Sequence, residues 1–104
     1  MKEKAQQVDQ IMSEVAPGYT VWGLTIFLLV AKNGKMSVKA ICDEIQSNQA
    51  TVLRYATEMT DWETSDDKGP GLLAIEEAGL LKKNIVLTEK GQEVKNRIQG
   101  ITAH

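Results

Sequence analysis

Residues 37–59 read SVKAICDEIQSNQATVLRYATEM, and this stretch decides the fold. Ser37 has the hydroxyl of a helix N-cap, so a helix is expected over Val38 to Ile45. Ala40, Ile41 and Ile45 are expected to form its inner face. Gln46-Ser47 is a turn, and Asn48 caps a second helix over about Gln49 to Thr60. Val52, Tyr55, Ala56 and Met59 recur at helical spacing and face inward together. Two short helices joined by so short a turn have the layout of a helix-turn-helix. Such a unit frees the N-terminal polar residues of its second helix for a major groove about 12 Å wide.

Working outward, a helix is expected from Lys2 to Ala16, with Ala5, Val8, Met12 and Val15 as one apolar stripe ended by Pro17-Gly18. Thr20 caps a helix over Val21 to Lys32 that is apolar nearly all round, as a central core helix covered on most sides would be. Trp22 is accordingly assigned to the core, and Asn33-Gly34 stops the helix. Lys35-Met36 is too short to assign. Downstream, Asp61 to Gly71 reads as an acidic loop opened by Trp62, which is either a fold staple or a partner anchor. Leu72 to Ala78 reads as a short inserted helix stopped by Gly79. Leu80 to Leu87 reads as two short strands about a turn near Lys83-Asn84. Thr88 caps a last helix with Val94, Ile98 and Ile101 inward. A single domain is expected over 1–104: N-terminal helix 1–16, core helix and helix-turn-helix 20–60, acidic loop and inserted helix 61–79, short wing 80–87, C-terminal helix 88–100. The expected fold class is mainly α with a small β-hairpin (α+β), a winged helix-turn-helix with added N- and C-terminal helices.

Composition excludes much else. The chain has 104 residues, 42% hydrophobic and 25% charged, the balance of one ordinary globular domain. One cysteine, Cys42, and one histidine, His104 at the fraying end, supply neither a metal site nor a Ser-His or Cys-His nucleophile. No catalytic constellation is visible, and neither a cofactor nor enzyme activity is expected. Cys42 is read as a small buried hydrophobe. The longest apolar run, Val21 to Ala31, is 11 residues, against about 20 for a spanning helix. With no signal-peptide pattern at the N-terminus, a soluble, cytoplasmic protein is expected. The net charge of -2 hides an asymmetry. Residues 61–80 carry six acids against one lysine, whereas residues 81–104 carry five bases against two acids.

Two motifs carry a resemblance. Ser37 to Met59, with Thr51-Val52-Leu53-Arg54 opening its second helix, resembles the helix-turn-helix of winged-helix regulators of the MarR type. Glu77 to Gly91, EAGLLKKNIVLTEKG, resembles their wing ending, with Gly79-Leu80 and Leu87-Thr88-Glu89-Lys90-Gly91 as the matching residues. Together they cover about Val21 to Ile98. Two departures stand out: about 20 residues separate the recognition helix from Gly79-Leu80, and the wing is nearly absent, with no counterpart of the family's Asp-x-Arg at Lys82-Lys83-Asn84.

The resemblance implies a sequence-specific double-stranded DNA-binding protein, a small transcriptional regulator with helix 49–60 in the major groove. Candidate DNA contacts follow from side-chain chemistry. Arg54 can fork onto guanine and Gln49 onto adenine. Thr51 can meet a phosphate or a thymine methyl, and Leu53 a thymine methyl. Asn48 stands at a helix N-terminus, where phosphate is favoured. Lys39, Lys82 and Lys83 are candidate backbone clamps. Set against these are an Asn48 that only caps, an Arg54 paired with Glu58 and lysines that serve solubility. The two terminal stripes are those that MarR-type proteins use to dimerise, so the resemblance implies a homodimer through the N- and C-terminal helices; the alternative is that both stripes close the core of a monomer. The alternative function is a winged-helix protein-protein interaction module working through the acidic 61–71 loop.

Overall fold

The computed structural model describes residues 2–80 and 82–102. His104 and Leu81 lie outside the described residues. The elements run α1 (Lys2–Val15), α2 (Val21–Asn33), β1 (Lys35–Ser37), α3 (Val38–Ile45), α4 (Gln49–Glu58), β2 (Leu73–Gly79), β3 (Lys82–Leu87) and α5 (Glu89–Thr102). The three strands form one antiparallel sheet in the order β1-β3-β2. This is the winged helix-turn-helix order in an α+β fold, with a helix added at each end.

The expected caps set the helix starts. Thr20 Oγ1 accepts the Gly23 N–H at 3.0 Å, Ser37 Oγ accepts the Ala40 N–H at 3.0 Å, and Asn48 Oδ1 accepts the Thr51 N–H at 2.8 Å. Each satisfies one of the donors that a helix N-terminus leaves unpaired. Gly34, at φ +79°, ends α2 by donating to Val30 O at 2.6 Å. α4 ends at Glu58, with Met59 as its C-cap, rather than running to Thr60.

Leu72 to Ala78 is not a helix. Its residues form β2, the first strand of the wing, paired with β3 through Leu73 opposite Leu87 and Ile75 opposite Ile85. Ala74, Glu76, Glu77 and Ala78 are good helix formers, but burying Leu73 and Ile75 on one pleated face outweighs that small preference. The wing turn is also displaced. β3 runs unbroken through Lys83-Asn84, and the chain reverses at Leu80, between Gly79 and its partner Lys82. The wing is therefore a full hairpin over 73–87, not a remnant over 80–87. Gly79-Leu80 is its tip, and Leu80 there is 90% exposed. The distance in sequence between α4 and Gly79-Leu80 is filled by the acidic loop and this strand, with no inserted helix. The short segment Lys35–Ser37 supplies the third strand, pairing Ser37 with Asn84.

The core gathers Phe27, Met12, Ile26, Ile41, Val52, Leu72, Leu73 and Ile85, all fully buried or nearly so. α2 packs on α4, α5, β1 and β3, and its opposite face is open. Val21, Trp22 and Leu28 are 76%, 45% and 41% exposed, so Trp22 is not a core residue and one strip of the otherwise covered α2 meets solvent. On α3 the buried residues are Val38, Ile41 and Cys42; Ala40 is exposed and Ile45 half-buried. The stripes of α1 and α5 meet each other through Ile11, Met12, Val94 and Ile98, joined at the surface by Arg97 Nη2 to Glu14 Oε2 at 3.3 Å. Such an exposed ion pair contributes at most about 1 kcal/mol, so apolar burial holds the seam.

Cys42 is buried. Burial pushes its thiol pKa up, and the neighbouring Asp43 adds to the shift. The thiolate is the reactive form. At pH 8 the folded protein is expected to react with a thiol-specific disulfide reagent on the order of 100-fold more slowly than the urea-unfolded chain. Equal rates would contradict the burial of Cys42.

Candidate nucleic-acid interface

α3 and α4 pack through Ile41, Cys42, Val52 and Ala56, with Gln46 turning the chain between them at φ +55°. Gln46 is the residue that needs the left-handed conformation there, and its N–H closes onto Cys42 O. This stacking fixes which side of α4 faces outward. Gln49, Ala50, Arg54, Thr57 and Glu58 are exposed; Thr51 is half-buried. Leu53 is half-buried and packs against the core. Asn48 is seen as the cap, its side-chain oxygen engaged by Thr51 N–H.

Arg54 lies with its guanidinium carbon 5.7 Å from the centre of the Tyr55 ring. Among the described residues, the ion pairs are Lys35–Glu76 and Glu14–Arg97, and Arg54–Glu58 is not one of them. An exposed cation–π contact is worth about 0.5–1 kcal/mol, little enough for the side chain to leave it for a better partner.

The wing brings the remaining candidates to the start of α4. Lys39, Gln49, Lys82 and Lys83 line one cleft of about 400 Å³, together with Ser37, Val38, Ala78 and Asn84. The pairing of Ser37 with Asn84 causes this, since it seats the wing beside the first turn of α3. The lining holds three cations and no acid. Glu76 on the wing is tied to Lys35 at 3.2 Å, and Glu77 stands opposite Lys83 in the hairpin register. Sequence reasoning had not included Ser37, Ala78 or Asn84; the adjacency of Asn84 to Lys82-Lys83 was the one available signal.

The acidic loop lies at the other end of α4. It is stitched by backbone hydrogen bonds from Leu72 and Leu73 to Met59 O, Gly71 to Thr60 O and Gly69 to Trp62 O. Trp62 donates its indole N–H to Glu58 O at 3.1 Å and packs against Gly69, where any Cβ would collide with the indole ring and with Thr60 O. Trp62 thus staples the loop to the C-terminal end of α4. A ten-residue helix spans about 15 Å, beyond the Debye length of about 8–10 Å in physiological salt. The acids therefore do little to oppose an anion at the N-terminal end of α4.

No family model matches the chain, and no curated protein matches it. Among solved structures, disulfide-formed AbfR is similar with a TM-score of 0.71 at 13% identity, over 98% of this chain and 64% of that one. The chain thus spans just under two thirds of that protein's length. At this identity the likeness shows the shared fold: the winged helix-turn-helix with its terminal helices. No helix among the described residues is long and apolar enough to cross a membrane.

Proposed function

We propose that the chain is a sequence-specific double-stranded DNA-binding protein, a small cytoplasmic transcriptional regulator of the MarR type that sets α4 in the major groove. The observation that carries this reading is the placement of three lysines around the N-terminal end of a helix whose outer side presents Gln49 and Arg54. Gln49 and Arg54 have the planar, bidentate side chains that read adenine and guanine edges. Lys39, Lys82 and Lys83 are point charges suited to backbone phosphates, which position a protein without reading sequence. Thr51 and Asn48 lie close enough in the chain to add phosphate contacts, and the half-buried Leu53 offers an apolar contact for a thymine methyl.

A homodimer through the terminal helices belongs to the same proposal. Val8, Val15 and Ile101 are only partly buried along the α1–α5 seam, which leaves apolar surface for a second copy. Two copies would address half-sites about 34 Å apart. Sedimentation of a monomer at all concentrations, with DNA bound, would contradict the dimer alone.

The test of the DNA reading is selection of bound duplexes from a random pool, followed by titration of the enriched site. Arg54→Ala is expected to weaken binding to that site by about 1–3 kcal/mol, roughly 5- to 150-fold, and to relax preference at one base position. Its melting temperature should fall by no more than a few degrees, because Arg54 is exposed and loses only its weak contact with the Tyr55 ring. A pool that shows no enrichment contradicts sequence-specific binding.

A further inference from the structure

We propose that the cleft between the wing and the starts of α3 and α4 is a polyphosphate site that takes the phosphate chain of a free nucleoside di- or triphosphate, in competition with the DNA backbone. It shares residues with the DNA reading; polyphosphate binding itself does not depend on that reading, whereas the competition rests on it.

Three observations point to that ligand class. The first is charge: Lys39, Lys82 and Lys83 all line one cavity whose lining contains no carboxylate. A single phosphate brings at most two negative charges; a di- or triphosphate chain brings the three or more that match three ammonium groups. The second is size. At about 400 Å³ the cleft is within the roughly 300–1,000 Å³ range of small-ligand sites and larger than one phosphate needs. The third is the rest of the wall. The exposed Ala78 offers an apolar surface for a sugar or a flat base, and the carboxamides of Gln49 and Asn84 offer donors and acceptors for its edge. Both α3 and α4 begin at this cleft, so the positive ends of two helix dipoles favour the same anion.

Bound polyphosphate would occupy the lysines that a DNA strand needs and would cover Gln49. The cleft would then act as an inhibitory ligand site, coupling nucleotide level to DNA release by simple competition.

The experiment is calorimetric titration of the full chain with inorganic tripolyphosphate, pyrophosphate and ADP at constant ionic strength. The same three probes are then used to displace a fluorescent duplex. Tripolyphosphate is expected to bind the wild type and to lose at least tenfold in affinity in the triple variant Lys39→Gln/Lys82→Gln/Lys83→Gln. A control triple, Lys2→Gln/Lys32→Gln/Lys95→Gln, removes the same charge elsewhere and should bind as the wild type does. ADP binding tighter than pyrophosphate supports the nucleoside part. Circular dichroism melts confirm that both variants fold. Absence of tripolyphosphate binding, or equal losses in the two triples, overturns the proposal. If the cleft triple weakens DNA binding while no probe binds the wild type, the lysines serve DNA phosphates alone, and the proposal again fails. If tripolyphosphate binds and DNA does not, the cleft stands and the DNA reading falls.

Discussion

Phe27→Ala is expected to lower the free energy of unfolding by about 3–5 kcal/mol. Phe27 is fully buried, on the side of α2 that also buries Ile26, Val30 and Ala31. Removing its ring takes away the transfer free energy of a large aromatic. It also leaves a cavity that the elements packed on α2 cannot fully close. Domains of this size are stable by about 5–15 kcal/mol, so the variant would sit near the edge of folding at room temperature. Urea unfolding followed by circular dichroism checks this, with the midpoint shifting and the slope unchanged. A loss below 1 kcal/mol would contradict the packing of α2 at the centre.

Gly91→Val is expected to cost about 3 kcal/mol or more, at or above the top of the usual overpacking range. Gly91 is in the first turns of α5, where the helix presses on the end of the loop that leads into the wing. A Cβ there would collide with Leu72 O and lie 2.8 Å from Leu87 Cδ1. The first contact is with backbone, which cannot rotate away. Thr88 fixes the same approach from the other side: its hydroxyl donates to Gly71 O at 2.6 Å and accepts the Gly91 N–H at 3.0 Å. The Leu87-Thr88-Glu89-Lys90-Gly91 segment thus has a physical reason: Thr88 caps α5 and ties it to the wing's base, and Gly91 permits the close contact. Thermal melts of Gly91→Val and of Gly100→Ala provide the comparison. Gly100 has open space around it, so its substitution should be neutral or stabilising.

What the sequence revealed and concealed follows the range of the forces involved. The starts of α2, α3 and α4 were legible because Thr20, Ser37 and Asn48 are caps, and a cap acts on a backbone N–H three residues away. Leu72 to Ala78 reads as a helix because its Ala and Glu residues favour one locally, whereas its strand state is decided by pairing with the distant residues 82–87. The open face of α2 was invisible for a related reason. An apolar helix records that burial is favourable, but not which neighbour is missing beside Val21, Trp22 and Leu28.

The candidate interface was legible in its residues and not in its assembly. Gln49 and Arg54 could be assigned to outward positions from the inward spacing of Val52, Ala56 and Met59. That Lys39 would meet Lys82 and Lys83 could not be read, because the three-residue strand β1 that joins them carries no periodic signal of its own. In sequence the acidic loop directly follows the recognition helix. In space it is held at the far end of α4 by Trp62 and the Met59 carbonyl.

The most direct measurement of the central claim is fluorescence anisotropy of a labelled random-sequence duplex titrated with the full chain at 50 mM and 200 mM salt. Three lysines engaging phosphates predict a slope of log affinity against log salt near -2.7, or about a 40-fold loss across that range. Arg54, if it also contacts a phosphate, steepens it. Clear binding at 50 mM that falls this steeply is the predicted result. No binding at either salt would contradict the assignment of α4 and the wing to DNA.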